Sequence, residues 1–183
     1  KDLTGNSTID LTNVSFDSNA EIEFDGTNDY LLTGLDTPQN PLTVSIWFKQ
    51  YTTQGRAHLL GNYRSDLLLG VNFSTNNRKI LWYMYDSAVY GFGNIGIYGT
   101  EYSLNVWNNV VYWNDGSEYR VYLNGELKAS TVDSGWAQVP DLSIGANHSY
   151  NNDFFDGKVD AVRIYNRALT ASEIKSNFNA IKG

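Results

Sequence analysis

For most of its length this chain alternates. Leu42-Thr43-Val44-Ser45-Ile46-Trp47-Phe48 places Leu42, Val44, Ile46 and Phe48 on one side of an extended strand, because successive side chains point to opposite faces. Short apolar runs recur, broken by Gly, Asn and Asp at short intervals, and a helical rhythm is nearly absent until the C-terminal segment. That pattern restricts the chain to an all-β sandwich or barrel. It predicts strands at Ala20–Phe24, Tyr30–Thr33, Leu42–Lys49, His58–Tyr63, Leu67–Phe73 and Lys79–Tyr85, then at Val106–Trp113, Glu118–Leu123, Glu126–Ser130, Asp141–Ala146 and Gly157–Tyr165.

Two local signals sharpen this reading. Asn124-Gly125 separates two strand-like runs, and a two-residue type I′ hairpin wants positive φ at both central positions, which Asn and Gly tolerate. Thr170 followed three residues later by Glu173 is a capping-box pattern, with Ile174 and Phe178 on one face behind it. A single helix is expected from about Thr170 to Asn179, lying on the sandwich as a clasp.

At 183 residues the chain suits one domain, 1–183, in which 1–19 is polar and weakly patterned, either a linker or an edge strand. It opens on Lys1 rather than Met, as a fragment or a processed chain would. The absence of cysteine excludes thiol catalysis and cysteine-ligated zinc. A net charge of −7 without a basic run argues against a nucleic-acid partner, and no apolar stretch is long enough to insert in a membrane. Aromatic residues make up 14% of the chain against 18% charged residues. That balance suits stacking, hydrogen-bonding surfaces outside the cell as well as the needs of a large β-core.

The segments Phe24-Asp25-Gly26-Thr27-Asn28-Asp29-Tyr30 and Phe155-Asp156-Gly157-Lys158-Val159-Asp160-Ala161-Val162-Arg163-Ile164-Tyr165-Asn166-Arg167-Ala168-Leu169 resemble the opening and closing strands of laminin-G-like, concanavalin-A-like jelly rolls. The middle of the pattern is matched by Tyr119-Arg120-Val121-Tyr122-Leu123-Asn124-Gly125-Glu126-Leu127 and by Leu142-Ser143-Ile144-Gly145-Ala146. The resemblance implies a two-sheet antiparallel sandwich in which the first and last strands pair, with a short C-terminal helix. The polar run before the first match also resembles phage virion proteins carrying this domain.

Asp25, Asn28, Asp29, Asp156 and Asp160 are hard oxygen donors in the two segments that would then be neighbours. Calcium takes six to eight such oxygens. The resemblance implies a structural calcium, with Asp25, Asn28, Asp29 and Asp160 as its ligands; the same residues also suit Asx turns, which need no metal. Glu21, Glu23 and Asp25 share one strand face, superficially like the acidic motif of laminarinase-type glycoside hydrolases in this superfamily, but no final Glu follows. A retaining hydrolase needs two carboxyls flanking the scissile bond, which a solvated strand face does not supply. His58 and His148 have no catalytic motif around them.

The stretch 83–102 carries Tyr83, Tyr85, Tyr90, Tyr98 and Tyr102 among glycines. It reads either as a ligand-presenting loop or as a hairpin whose rings pack on the sheet. With the loops around Ser134-Gly135-Trp136 and Asn147–Asp153, it puts forward Tyr90, Tyr98, Trp136, His148 and Tyr150 as ligand-binding candidates. Sequons at Asn6, Asn13, Asn72 and Asn147 occur as often as chance allows in so Asn-, Ser- and Thr-rich a chain. The expected function is a non-catalytic module that binds a glycan or cell-surface ligand, extracellular or on a virion surface. The alternatives are a virion or surface-array assembly domain and, less favoured, a glycoside hydrolase.

Overall fold

The computed structural model describes residues 14–16, 21–36, 41–52, 57–62, 67–71, 80–84, 93–97, 102–132, 142–146 and 153–182. Among them thirteen strands and one helix follow in chain order. The strands are β1 (Ser15–Phe16), β2 (Ile22–Asp25), β3 (Leu31–Leu32), β4 (Leu42–Gln50), β5 (Ala57–Asn62), β6 (Leu67–Val71), β7 (Ile80–Met84), β8 (Gly93–Ile97), β9 (Asn108–Asn114), β10 (Glu118–Leu123), β11 (Glu126–Val132), β12 (Leu142–Ile144) and β13 (Asp156–Tyr165); the helix is α1 (Ala171–Lys182). Two antiparallel sheets result, one ordered β1-β2-β13-β4-β9-β10-β11 and the other β3-β12-β5-β6-β7-β8. The protein is an all-β, two-sheet jelly-roll sandwich with a short C-terminal helix.

Its core follows from the alternation. Leu42, Val44, Ile46 and Phe48 of β4 meet Val110 and Tyr112 of β9, Tyr119 and Val121 of β10 and Phe24 of β2 on one side, and Leu59, Leu60, Ile80, Leu142 and Ile144 on the other. Phe24, Phe48, Phe155 and Tyr102 pack edge-to-face, the geometry that aromatic quadrupoles favour. The central pairing is β13 between β2 and β4. At its entrance Gly157 (φ +149°) lies so close to β4 that a Cβ would collide with the Lys49 carbonyl. No side chain fits there.

The outer face of the seven-stranded sheet holds a second apolar cluster. Val111, Trp113 and Tyr122 are covered by Leu169 and Ile174, and Trp47 stacks on Phe178 of α1 with ring centroids 5.4 Å apart. Thr170 caps the helix: the Glu173 amide donates to Thr170 Oγ1 (3.2 Å), and Glu173 Oε2 accepts from the Thr170 amide (2.7 Å). The hairpin at Asn124 (φ +53°) and Gly125 (φ +76°) has the positive angles that its sequence demands.

Two elements decide between alternatives that the sequence reading left open. β1, inside the segment read as linker or edge strand, is an edge strand paired with β2. β8 pairs with β7 within the tyrosine- and glycine-rich stretch, so part of that stretch is a hairpin rather than a free loop. Gly93 and Gly96 within β8 hide the alternation that would have announced a strand.

Candidate functional site

The strand register sorts the connections between two ends of the sandwich. Asp25 of β2 faces Asp156 of β13, Gly157 faces Gln50 of β4, and Ala57 of β5 faces Val71 of β6. Asp25, Gln50, Val71, Ile97, Ile144 and Asp156 therefore stand at one end, and Met84, Gly93, Val132 and Leu142 at the other. The ligand candidates Tyr90, Tyr98, Trp136, His148 and Tyr150 all lie outside the described residues.

The first end is tied together by its backbone. The Gly26 amide donates to the Phe155 carbonyl (3.0 Å), Tyr51 to Asp156 (3.1 Å), Phe155 to Gly145 (2.8 Å) and His58 to Asp153 (3.0 Å). Thr52 Oγ1 donates to Asp156 Oδ2 (2.5 Å), and the Tyr102 hydroxyl bonds Gln50 in the interior. The buried His58 ring brings Nε2 to 3.7 Å from Asp153 Oδ2. Both residues that flank segment 147–152 are thus anchored: Ala146 is buried and its carbonyl accepts from Ser143 Oγ, while Asp153 is held by β5.

The acidic turn is organised by its own hydrogen bonds. Asp25 Oδ1 accepts from the amides of Thr27 (2.7 Å) and Asn28 (3.2 Å), and Asp29 Oδ2 accepts from the Asp25 amide (3.0 Å). These are Asx-type bonds, the metal-free alternative for the same residues. Burial pushes the Asp29 carboxyl above its ordinary value, against the lowering effect of the Asp25 amide. Asp25 pairs across the strands with Asp156, not with Asp160, which lies exposed four positions farther along β13, about 13 Å at the usual strand rise. Asp25, Asn28 and Asp29 share one turn, and the register does not bring Asp160 to it. Among the described residues no group of three or more His, Cys, Asp or Glu is placed to hold a metal ion.

The three-acid strand points outward from β2, since Phe24 between them is in the core. Glu21 Oε2 is 3.2 Å from Lys158 Nζ, and Glu23 Oε1 accepts from the Tyr51 hydroxyl at 3.1 Å. Burial, followed by the bond to Glu23, raises the Tyr51 phenol above its ordinary value. Glu21, Glu23 and Asp25 are each engaged by a neighbour on an outer sheet face. Sequence reasoning did not single out Lys49, Tyr51, Trp107 or Lys158, whose proximity depends on which strands pair.

No curated protein matches the chain. Solved structures do. The binding domain of Paraclostridial Mosquitocidal Protein 1 superposes with a TM-score of 0.76 at 17% identity, over 99% of this chain and 49% of that one. The receptor-binding domain of botulinum neurotoxin type G gives 0.73 at 17%, over 96% and 46%. Domain 4 of AbnA, a GH43 extracellular arabinanase from Geobacillus stearothermophilus, in complex with arabinotriose, gives 0.69 at 20% identity, over 95% and 90%. This chain spans about half the length of the toxin domains and nearly all of the arabinanase domain. These likenesses establish the sandwich. A laminin G family profile, described as the concanavalin A-like lectin/glucanases superfamily, matches residues 24–175, the span from the first core phenylalanine of β2 into α1, and the chain belongs to that family.

Proposed function

We propose that this protein is a non-catalytic recognition module for a glycan or a glycan-bearing cell-surface receptor. The observation that carries this reading is the whole-domain likeness to an arabinanase domain solved with arabinotriose, over 95% of this chain and 90% of that one. The receptor-binding domain of botulinum neurotoxin type G and the binding domain of Paraclostridial Mosquitocidal Protein 1 supply the same architecture in a second setting. The backbone bonds that hold Tyr51, Gly145, Asp153 and Phe155 suit the role, because groups already fixed in place bind without an ordering cost. The module acts outside the cell and holds its ligand by stacking and hydrogen bonding. The reading does not require calcium, since the Asp25–Asp29 turn closes on its own amides.

An oligosaccharide array followed by calorimetry on the hits tests this. The expected result is saturable binding without release of reducing ends. Hydrolysis of the bound sugar, or silence across neutral and acidic glycans alike, overturns it.

A second reading, an assembly module of a virion or surface array, is favoured by β11. Among the described strands it is an edge, and its Leu127 and Val132 are 51% and 78% exposed. Exposed strand edges can template pairing with another chain. Oligomers in sedimentation that Val132→Lys dissolves support it; a monomer at all concentrations opposes it.

A further inference from the structure

One row of outward side chains crosses four strands next to the anchored end. Glu23 of β2 faces Lys158 of β13, Lys158 faces Lys49 of β4, and Lys49 lies beside Trp107, which leads into β9. Lys49 Nζ sits 4.9 Å from the centre of the Trp107 ring. Tyr51 closes over the row to donate to Glu23, and Lys158 reaches Glu21. All six side chains are half-buried: neither core nor freely solvated. Lys49 and Lys158 are also like charges directly opposite on paired strands, an arrangement that costs stability. A fold does not need that pair.

We propose that Glu21, Glu23, Tyr51, Lys158, Lys49 and Trp107 form a binding site for a neutral oligosaccharide. The assignment rests on the glycan-binding reading above and gives it a location. Sugar hydroxyls both donate and accept, so a site for them needs both kinds of partner within reach of an apolar ring face. The row provides both: carboxylate oxygens of Glu21 and Glu23 as acceptors, ammonium groups of Lys158 and Lys49 as donors, the Tyr51 phenol and the Trp107 ring. Its three strand spacings make it about 14 Å long, enough for a short oligosaccharide and too long for one monosaccharide. Charge selects the ligand. Glu21, Glu23, Asp25, Asp156 and Asp160 stand outward on β2 and β13 or at their edge against the two lysines, in a chain of net charge −7. An anionic sugar meets repulsion there, and a neutral one does not.

The test is calorimetric titration of the whole protein with neutral oligosaccharides, arabinotriose among them, beside uronic-acid oligomers, each at low and high salt. Binding of a neutral oligomer with little salt dependence is expected. Trp107→Ala and Glu23→Gln weaken it roughly tenfold or more, Trp107→Phe keeps most of it, and unchanged melting curves show that the variants remain folded. If the neutral sugar binds but only Tyr150→Ala or His148→Ala abolishes it, the module reading stands and this site falls. Preference for uronic oligomers with steep salt dependence overturns the neutral ligand. Failure of the wild type to bind any oligosaccharide overturns both.

Discussion

On the outer face of the seven-stranded sheet, β4, β9 and β10 turn Trp47, Val111, Trp113 and Tyr122 towards α1, whereas β2 and β13 turn Glu21, Glu23, Lys158 and Asp160 towards solvent. The strands are continuous and hydrogen-bonded across the boundary. What differs is the covering. Where the helix lies, rings and branched side chains are buried against it, and polar groups are matched singly: Trp113 Nε1 donates to the Leu169 carbonyl (2.6 Å), and Thr43 Oγ1 both donates to Arg167 and accepts from the Leu169 amide. Where it does not, the same face carries ion pairs and one half-exposed indole. The covered half stabilises the molecule; the bare half is available to a ligand. Surface ion pairs of this kind contribute little to stability, so the bare half can vary its chemistry without unfolding the sheet beneath.

Substitutions can break this contrast at several depths. The largest effect is expected where both halves share a backbone: Gly157→Ala forces a Cβ into the Lys49 carbonyl at the junction of β13 and β4 and costs about 3 kcal/mol or more, read as a collapsed urea midpoint. Next, Phe178→Ala removes the partner of Trp47 and costs about 3 kcal/mol. Its loss should expose the covered half, seen as increased quenching of tryptophan fluorescence in a protein that still folds. Smaller again, Thr170→Ala deletes the helix cap for about 1 kcal/mol.

A pH series sharpens the same point. The Arg167 guanidinium, and then the Thr170 amide, hold the Glu173 carboxylate down to about 2 from an ordinary value near 4.5. A depressed carboxylate contributes its stability in full above its unfolded value and loses it as pH falls from about 4.5 towards 2. Wild type and Glu173→Gln should therefore differ at neutral pH and converge on acidification. The smallest effect belongs to the bare half: Glu21→Gln breaks the pair with Lys158 and is expected to shift stability by less than about 1 kcal/mol. A large loss there would mean that the charged row is structural, and the contrast between the halves would fail.

The same contrast explains how far the sequence could be read. Leu42–Phe48 announced a strand with one apolar face, Asn124-Gly125 a hairpin and Thr170-Glu173 a helix start, because each is a local signal read within a few residues. β8 escaped, since glycines interrupt its alternation. The acidic turn shows the limit of such reading. Both its ligand-like and its Asx-turn roles were open in Asp25, Asn28 and Asp29; the Asx bonds, and the distance of Asp160 from them, came only with the structure.

While the pairing of the first and last strands was implied by the family resemblance, the sequence by itself determined the alternating strands, the Asn124-Gly125 hairpin and the start of the helix that closes the sandwich. These depend on period, turn chemistry and caps, which act over neighbouring residues. Tertiary structure alone decided that Glu23, Lys158, Lys49 and Trp107 stand in one row, although Glu23 and Lys158 are far apart in the chain. A strand's pattern states which face is apolar, but not which strand will lie beside it; register across β2, β13, β4 and β9 is set by the packing of the whole core.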